Sequence, residues 1–255
     1  MRRLKLAIGK RQSQLIWGPS GAGKTFLIQE LLASLPEADR HKCIYVPASK
    51  GGRDLAAHFL RSLYLVGDPF VRRKVHCDGA GEVTLNRWIG EQSFSRMRGI
   101  LFSATELGDY RIFVDHLPLP TSQMVHFIEE IMYRCKTPVY MTGHGYSQGE
   151  IGRAWSLYWC DRYRTHLGPL TETPARELLE MCIHKFALDS MDLGAFRNEI
   201  LRLSGCLPGS IVKMCEIAAD PRYHYHNQIK IKLVHVDYLM RTNPDEIKRM
   251  PIGPQ

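Results

Sequence analysis

Short apolar runs alternate with longer amphipathic stretches along the first part of this 255-residue chain. In the amphipathic stretches, apolar residues recur at intervals of three and four, which predicts helices with one buried face. The apolar runs predict strands, of which the last is the weakest, at residues 14–17, 43–47, 111–115, 138–142 and 163–167. Strands that alternate with helices predict an α/β fold with a parallel sheet covered by helices on both faces.

The pattern changes near residue 169, after which helices replace the strands. We expect an α/β domain over residues 1–169, a small all-α domain over 170–245 and a flexible tail over 246–255. Periodicity in the second domain predicts helices at residues 173–186, 192–204, 210–219 and 237–242, with a short extended piece at 229–234.

Two segments of the first domain are predicted to lack regular structure. The short basic stretch at the start of the chain is expected to run directly into the first strand. Residues 67–82 combine proline, glycine and a cluster of basic residues, which predicts an exposed loop before the next helix.

A glycine-rich segment after the first predicted strand matches the pattern G-x-x-x-x-G-K-[ST] at every fixed position. Its glycines let backbone N–H groups close around phosphate oxygens, Lys24 supplies a positive charge, and the Thr25 hydroxyl is a ligand for Mg²⁺. The next helix, predicted to open at about Gly23, adds its N-terminal dipole. We therefore predict a P-loop that binds ATP with Mg²⁺ through this segment and the residue after it: Gly18, Pro19, Ser20, Gly21, Ala22, Gly23, Lys24, Thr25 and Phe26.

The second half of such a site is an acidic side chain that shares Mg²⁺ with the loop threonine, usually at the end of a neighbouring apolar strand. Asp115 ends the predicted strand at 111–115 and is predicted as this second metal ligand, besides Thr25. The next position, where many ATPases of this architecture carry a glutamate that orients water, holds His116. Two interpretations of His116 stay open: one ring nitrogen positions the water, or the residue only ends the strand.

Two further positions complete the predicted site. Thr142 ends a strand, and because ligands of such sheets lie beyond the carboxyl ends of the strands, it is predicted to sense the γ-phosphate, with His144 and Ser147 as alternatives. Arg164, like other arginines of its region, either reaches the nucleotide of a neighbouring subunit or is an ordinary surface or ion-paired residue. The predicted catalytic set is Lys24, Asp115, His116, Thr142 and Arg164.

Composition limits the partners and the compartment. With 34 Lys and Arg against 26 Asp and Glu, the formal net charge is +8, which favours an anionic partner such as double-stranded DNA. The basic residues occur in short groups, so an ordinary solvated surface is an equal alternative. The seven cysteines are odd in number and scattered, which is typical of reduced thiols in the cytoplasm. No apolar stretch is long enough to predict a membrane span.

The order of the motifs resembles that of the AAA+ superfamily and its STAND relatives. Gly18–Thr25 resembles Walker A, residues 112–115 resemble Walker B, and Thr142 resembles sensor 1. Residues 204–211 look like the glycine–proline turn before the sensor 2 helix of the family's helical lid, which implies that Pro208 belongs to the nucleotide site. The chain looks most like the transposon-type ATPases TniB and TnsC and the ExeA group.

This resemblance implies an ATP-dependent homo-oligomer, often on DNA, that recruits or regulates a partner protein such as a transposase. Two departures from the family pattern, His116 in place of glutamate and Gly209 or Ser210 in place of the sensor 2 arginine, favour slow hydrolysis. Two functions are therefore expected: an ATPase that assembles on duplex DNA in transposition or recombination, or a STAND-like nucleotide switch that acts through proteins without DNA. A small-molecule kinase is disfavoured because no acceptor-binding motif is evident.

Overall fold

The chain divides into two compact units in the computed structural model, which describes residues 2–75, 82–117 and 120–242. The first unit comprises Met1–Pro19 and Lys24–Leu167, and the second comprises Ser20–Gly23 and Gly168–Gln255. The predicted tail at residues 246–255 lies outside the described residues.

The first unit is built on a parallel sheet whose strands follow the order β2-β3-β4-β1-β5 across the sheet. Because β4 lies between β1 and β3, the loop after β1 and the end of β3 are separated by one strand. The predicted α/β class with a parallel sheet is confirmed. Within the described residues the strands are β1 (Gln14–Gly18), β2 (Cys43–Val46), β3 (Arg111–Leu117), β4 (Val139–His144) and β5 (Arg164–His166).

Helices cover both faces of this sheet. Two of the helices, α7 and α8, begin where the hydroxyls of Ser93 and Thr121 accept hydrogen bonds from the backbone N–H groups of Arg96 and Met124. Two 3₁₀ helices, Gly152–Tyr158 and Asp161–Tyr163, precede β5. The described α-helices of this unit are α1 (Arg2–Gly9), α2 (Lys24–Ala33), α3 (Glu37–Arg40), α4 (Gly52–Leu65), α5 (Pro69–Val75), α6 (Glu82–Glu91), α7 (Phe94–Leu107), α8 (Ser122–Tyr133) and α9 (Gln148–Ile151).

Alternate side chains of the strands enter two separate hydrophobic cores, one on each face of the sheet. On one face, Val114 and Met141 pack in a core that includes buried residues of α4, α7 and α8. On the other face, Phe113 and Tyr140 stack with ring centroids 4.8 Å apart, in a core with buried residues of α1 and α2. Burial on both faces explains why the strands read as continuous apolar runs.

Two expectations for the first unit were wrong. The basic start of the chain does not run directly into β1, because Leu4 and Ile8 are buried and fold residues 2–9 into α1. The segment at 67–82 is not simply a loop, since it contains α5 with Val71 fully buried. The Asp68 carboxylate accepts a hydrogen bond from the Val71 N–H at 2.7 Å and so caps the first turn of α5. Residues 76–81 lie outside the described residues.

The second unit is mainly helical and has its own core, in which Leu179, Ile200, Ile211 and Met214 are buried. Its elements are α10 (Glu172–Lys185), α11 (Gly194–Ser204), α12 (Pro208–Ala218), a 3₁₀ helix (Pro221–Tyr223), β6 (His224–Tyr225), β7 (Gln228–Ile229) and α13 (Ile231–Thr242).

The expectation that this unit lacks strands apart from an extended piece at 229–234 was wrong. The antiparallel hairpin of β6 and β7 comes earlier, and α13 begins at Ile231. The alternation of apolar and basic residues from Ile229 to Leu233 imitates a strand, but Val234 is fully buried on the helix that forms instead. In neither unit do the described residues form a helix long and apolar enough to cross a bilayer.

Candidate functional site

The glycine-rich loop connects β1, which ends at Gly18, to α2, which begins at Lys24. Gly18, Gly21 and Gly23 have φ angles of +154°, +77° and +84°, in the region that favours glycine. At Gly18 a Cβ atom would also lie 2.0 Å from the carbonyl oxygen of Leu167. Glycine at position 18 is therefore required both by the backbone conformation and by the close approach of the Leu167 backbone.

Lys24 is held at the start of α2 by two backbone carbonyls. Its side chain is buried, and Nζ donates hydrogen bonds to the carbonyl oxygens of Gly18 and Pro19, each at 2.7 Å. Burial lowers the pKa of Lys24 to about 8, although the negative charge of Asp115 opposes this shift. The free site therefore holds an ammonium group that would gain from the approach of an anion.

This pKa gives a pH-dependent prediction for ATP binding. At pH 9 the Lys24 amine is mostly neutral in the free protein, and phosphate charges favour its protonated form, so binding is expected to take up about one proton per site. At pH 7 the amine is already charged, so Lys24 contributes almost no uptake. Isothermal titration calorimetry in buffers of different ionisation enthalpy measures the proton count.

The matched control for this prediction is Lys24→Arg, because a guanidinium stays charged at both pH values. The uptake at pH 9 is expected to disappear in this variant. An equal uptake in the arginine variant would assign the proton to another group.

Asp115 is buried at the carboxyl end of β3 and is oriented from three sides. Its Oδ1 accepts hydrogen bonds from the Thr142 hydroxyl at 2.8 Å and from the His116 N–H at 3.0 Å. Its Oδ2 accepts a hydrogen bond from the Tyr45 hydroxyl at 2.8 Å. Burial, together with the hydrogen bond to Asp115, raises the pKa of Tyr45, so its hydroxyl remains a donor. The carboxylate thus has one fixed orientation.

His116 follows Asp115 in an irregular part of β3. The register between β3 and β4 shifts between Val114 and Leu117, and His116 has a left-handed φ of +47°. Its N–H also donates to the Thr142 hydroxyl at 2.7 Å. Its exposed ring lies at the P-loop threonine, with 3.1 Å between His116 Nε2 and Thr25 Oγ1. The structure therefore brings His116 into contact with the predicted magnesium ligand.

The predicted Mg²⁺ site fits these residues. The Thr25 hydroxyl and the Asp115 carboxylate are hard oxygen donors, and Asp115 Oδ2, with one hydrogen bond, has free lone pairs. Among the described residues, no group of three or more His, Cys, Asp or Glu side chains could hold a metal ion alone. Mg²⁺ usually has few protein ligands, and phosphate oxygens and water supply the others.

Thr142 lies beside the carboxylate rather than free at the end of β4. It is buried, and its hydroxyl is engaged with both Asp115 and the backbone of His116. Of the two alternatives to Thr142, His144 has a pKa lowered first by burial and then by the nearby positive charge of Lys24. The Ser147 hydroxyl donates to Glu150 at 3.1 Å.

Two predicted residues of the first unit lie in other surroundings. Phe26 is 66% exposed on α2. Arg164 forms an ion pair with Asp161 at 3.0 Å, and its guanidinium lies 4.0 Å from the centre of the Trp155 ring. These contacts hold the Arg164 guanidinium against its own chain.

Within the second unit, the Gly209 N–H donates a hydrogen bond to the Gly21 carbonyl at 2.7 Å. A Cβ atom at Gly209 would approach the Gly21 Cα to 2.9 Å, so this contact depends on glycine. Pro208, the first residue of α12, precedes it directly. The predicted glycine–proline turn therefore lies at the loop segment that contains Ser20, Ala22 and Gly23.

Sequence reasoning missed Tyr45. The signal was a hydroxyl-bearing side chain near the end of an apolar strand, although Tyr45 pairs with Phe113 and so lies two positions before the level of Asp115. It was overlooked because a tyrosine in an apolar run is usually a core residue.

A model of the AAA domain family matches residues 8–140 of this chain. The match includes β1, the glycine-rich loop and all of β3 with Asp115. No curated protein matches the chain.

Two solved structures have similar folds. Cdc6p from Pyrobaculum aerophilum is 12% identical with a TM-score of 0.55, over 86% of this chain and 59% of that one. A Signal Transduction ATPase with Numerous Domains (STAND) protein with a tetratricopeptide repeat sensor, from Pyrococcus horikoshii, is 13% identical with a TM-score of 0.50, over 95% of this chain and 32% of that one. The chain thus spans less than two thirds of either protein, and the likeness extends to the fold.

Proposed function

Because the chain belongs to the AAA domain family, we propose that it is an AAA+ ATPase that binds ATP with Mg²⁺, hydrolyses it slowly and assembles in an ATP-dependent manner. In this proposal the assembly regulates or recruits a partner protein on DNA, as transposon-type ATPases of the TniB and TnsC kind do. The observation that carries the proposal is the convergence of the Lys24, Asp115, Thr142 and Thr25 side chains at one edge of the parallel sheet.

ATP binding is supported by the chemistry of the loop. The loop amides and the first turn of α2 supply N–H donors for phosphate oxygens, and Lys24 adds a positive charge. When bound, Mg²⁺ would neutralise phosphate charge, with Thr25 and Asp115 as its protein ligands. We further propose that residues 170–245 are a lid and that the turn at Pro208 adjoins the nucleotide.

Slow hydrolysis is supported by the residue after Asp115. His116 stands where a glutamate would orient water, and its ring contacts the Thr25 hydroxyl. An imidazole in this position lacks the negative charge with which a carboxylate orients and polarises an attacking water. We therefore propose that binding and assembly, rather than fast turnover, are the main use of ATP.

DNA binding is supported by net charge and by the placement of cations. The chain carries a formal charge of +8. In α5, Arg72, Arg73 and Lys74 are exposed, and no described carboxylate pairs with them. An open pocket of about 520 Å³ at the start of α4 is lined by Lys50, Arg53 and Arg61, together with the carboxylate of Asp54. Exposed cations without a carboxylate partner, such as those of α5, suit contact with a phosphate backbone.

The test measures ATP hydrolysis with and without duplex DNA, and mass by light scattering with and without ATP. DNA-stimulated turnover together with ATP-dependent assembly is the expected result. Turnover and mass that do not respond to DNA would remove the DNA part of the proposal.

A pair of charge-matched variants locates the DNA contact. Arg73→Gln with Lys74→Gln is expected to weaken DNA binding and to lower the slope of log affinity against log salt by about two. Lys5→Gln with Lys10→Gln removes the same charge from exposed positions in α1 and directly after it, and serves as the control. Equal losses in both double variants would mean that net charge, not α5, governs binding.

A second candidate function is a nucleotide switch that acts through protein partners without DNA. The fold likeness to the STAND protein and the histidine at position 116 favour it. Such a switch is expected to keep ADP through purification and to bind ATP with the same affinity whether or not DNA is present. Nucleotide-free purified protein would count against it.

A further inference from the structure

The His116 ring lies at the predicted magnesium ligand Thr25, and the strand-ending interpretation gives the ring no role there. It contacts the Thr25 hydroxyl, and the residue before it is Asp115. We propose that His116 is itself a ligand of the divalent cation at the P-loop. Its nitrogen would shift the site's preference from Mg²⁺ toward Mn²⁺ and Co²⁺. This inference rests on the proposed nucleotide site.

The His116 ring and the Thr25 hydroxyl are hydrogen-bonded, and their separation also suits two ligands of one cation. An octahedral cation holds its ligands at about 2.1 Å, so two ligands at right angles lie about 3.0 Å apart. The distance from His116 Nε2 to Thr25 Oγ1 is 3.1 Å. A cation can therefore be bound by both atoms with little movement of either side chain.

The backbone holds His116 in the conformation that places its ring there. Its left-handed φ of +47° lies within the register shift of β3, and few side chains adopt this region readily. The His116 N–H is bonded to Asp115 Oδ1 and to Thr142 Oγ1. The same contacts orient the Asp115 carboxylate, so one backbone segment fixes both the carboxylate and the imidazole that contacts Thr25.

The types of ligand atom predict which cation is bound more tightly because of His116. Mg²⁺ prefers oxygen ligands, whereas later first-row divalent ions bind nitrogen increasingly well, in the order Mn²⁺, Co²⁺, Ni²⁺. The site offers one hydroxyl, one carboxylate and one imidazole. Replacing the imidazole is therefore expected to weaken the binding of Co²⁺ much more than the binding of Mg²⁺.

The experiment uses the full chain with Mn²⁺ and a non-hydrolysable ATP analogue. Binding of the Mn²⁺–nucleotide complex is first measured by fluorescence, and pulsed electron paramagnetic resonance then detects ¹⁴N modulation from a directly bound imidazole. Wild type is expected to show the modulation. His116→Asn is expected to lose it, because asparagine tolerates the left-handed backbone but lacks the imidazole. His144→Asn, which removes a neighbouring imidazole, is expected to keep it.

Competition between Co²⁺ and Mg²⁺ gives the second measurement. The ratio of their affinities in the nucleotide complex is expected to fall on the order of tenfold in His116→Asn. A bound Mn²⁺–nucleotide complex without ¹⁴N modulation in wild type would overturn the inference and leave the nucleotide site intact. Modulation that persists in His116→Asn would overturn it as well. Absence of nucleotide binding in wild type would overturn both this inference and the proposed function.

Discussion

Replacing Lys24 by alanine is expected to weaken ATP binding by about 100-fold, which corresponds to about 2.7 kcal/mol of binding free energy. The Lys24 ammonium donates hydrogen bonds to the loop carbonyls of Gly18 and Pro19. It therefore lies where phosphates would enter the loop. Equilibrium titration with a fluorescent ATP analogue measures the loss.

The fold should survive this change. Burial lowers the pKa of Lys24 and makes the charged amine costly in the free protein, which offsets the two hydrogen bonds lost, so the free energy of unfolding should change little. Lys5→Ala, at an exposed lysine of α1, is the matched control and should bind ATP normally. Unchanged affinity in folded Lys24→Ala would show that the loop is not the nucleotide site.

Replacing Asp115 by asparagine is expected to raise the Mg²⁺ concentration needed for half-maximal nucleotide binding by about 10- to 100-fold. The amide has the shape of the carboxylate and can still accept from the Thr142 hydroxyl, but it lacks the charge that attracts a cation. Mg²⁺ titration at a fixed nucleotide concentration gives this number.

Asp109→Asn makes the same chemical change at an exposed carboxylate that pairs with Lys42, and it should leave the Mg²⁺ requirement unaltered. Affinity for nucleotide without Mg²⁺ should be similar in both variants and wild type. An unchanged Mg²⁺ requirement in Asp115→Asn would move the metal ligand to another residue.

The sheet could be predicted from the sequence because burial on both faces leaves a strong local pattern. Runs such as Ile112 to Val114 must be apolar throughout, and each ends where a parallel strand presents its carboxyl end. The P-loop could be predicted equally well, since the backbone shape that surrounds a phosphate fixes its residue types. The confirmed α/β class follows from these local signals.

The parts that sequence reasoning missed depend on contacts between distant residues. Tyr45 and Asp115 are separated by 70 positions, and only strand pairing brings them together. The position of the His116 ring depends on the register shift of β3, which no local pattern marks. Helix α1 packs Leu4 and Ile8 against the sheet, and with eight residues it depends on this contact rather than on its own stability.

The strand order also determines how much room the site has. Neighbouring strands lie about 4.8 Å apart, so inserting β4 between β1 and β3 separates their ends by about 10 Å. If β1 and β3 were adjacent, the loop and the Asp115 carboxylate would close on one another and leave no space for a hydrated ion. The middle strand thus sets the distance between the loop and the Asp115 carboxylate.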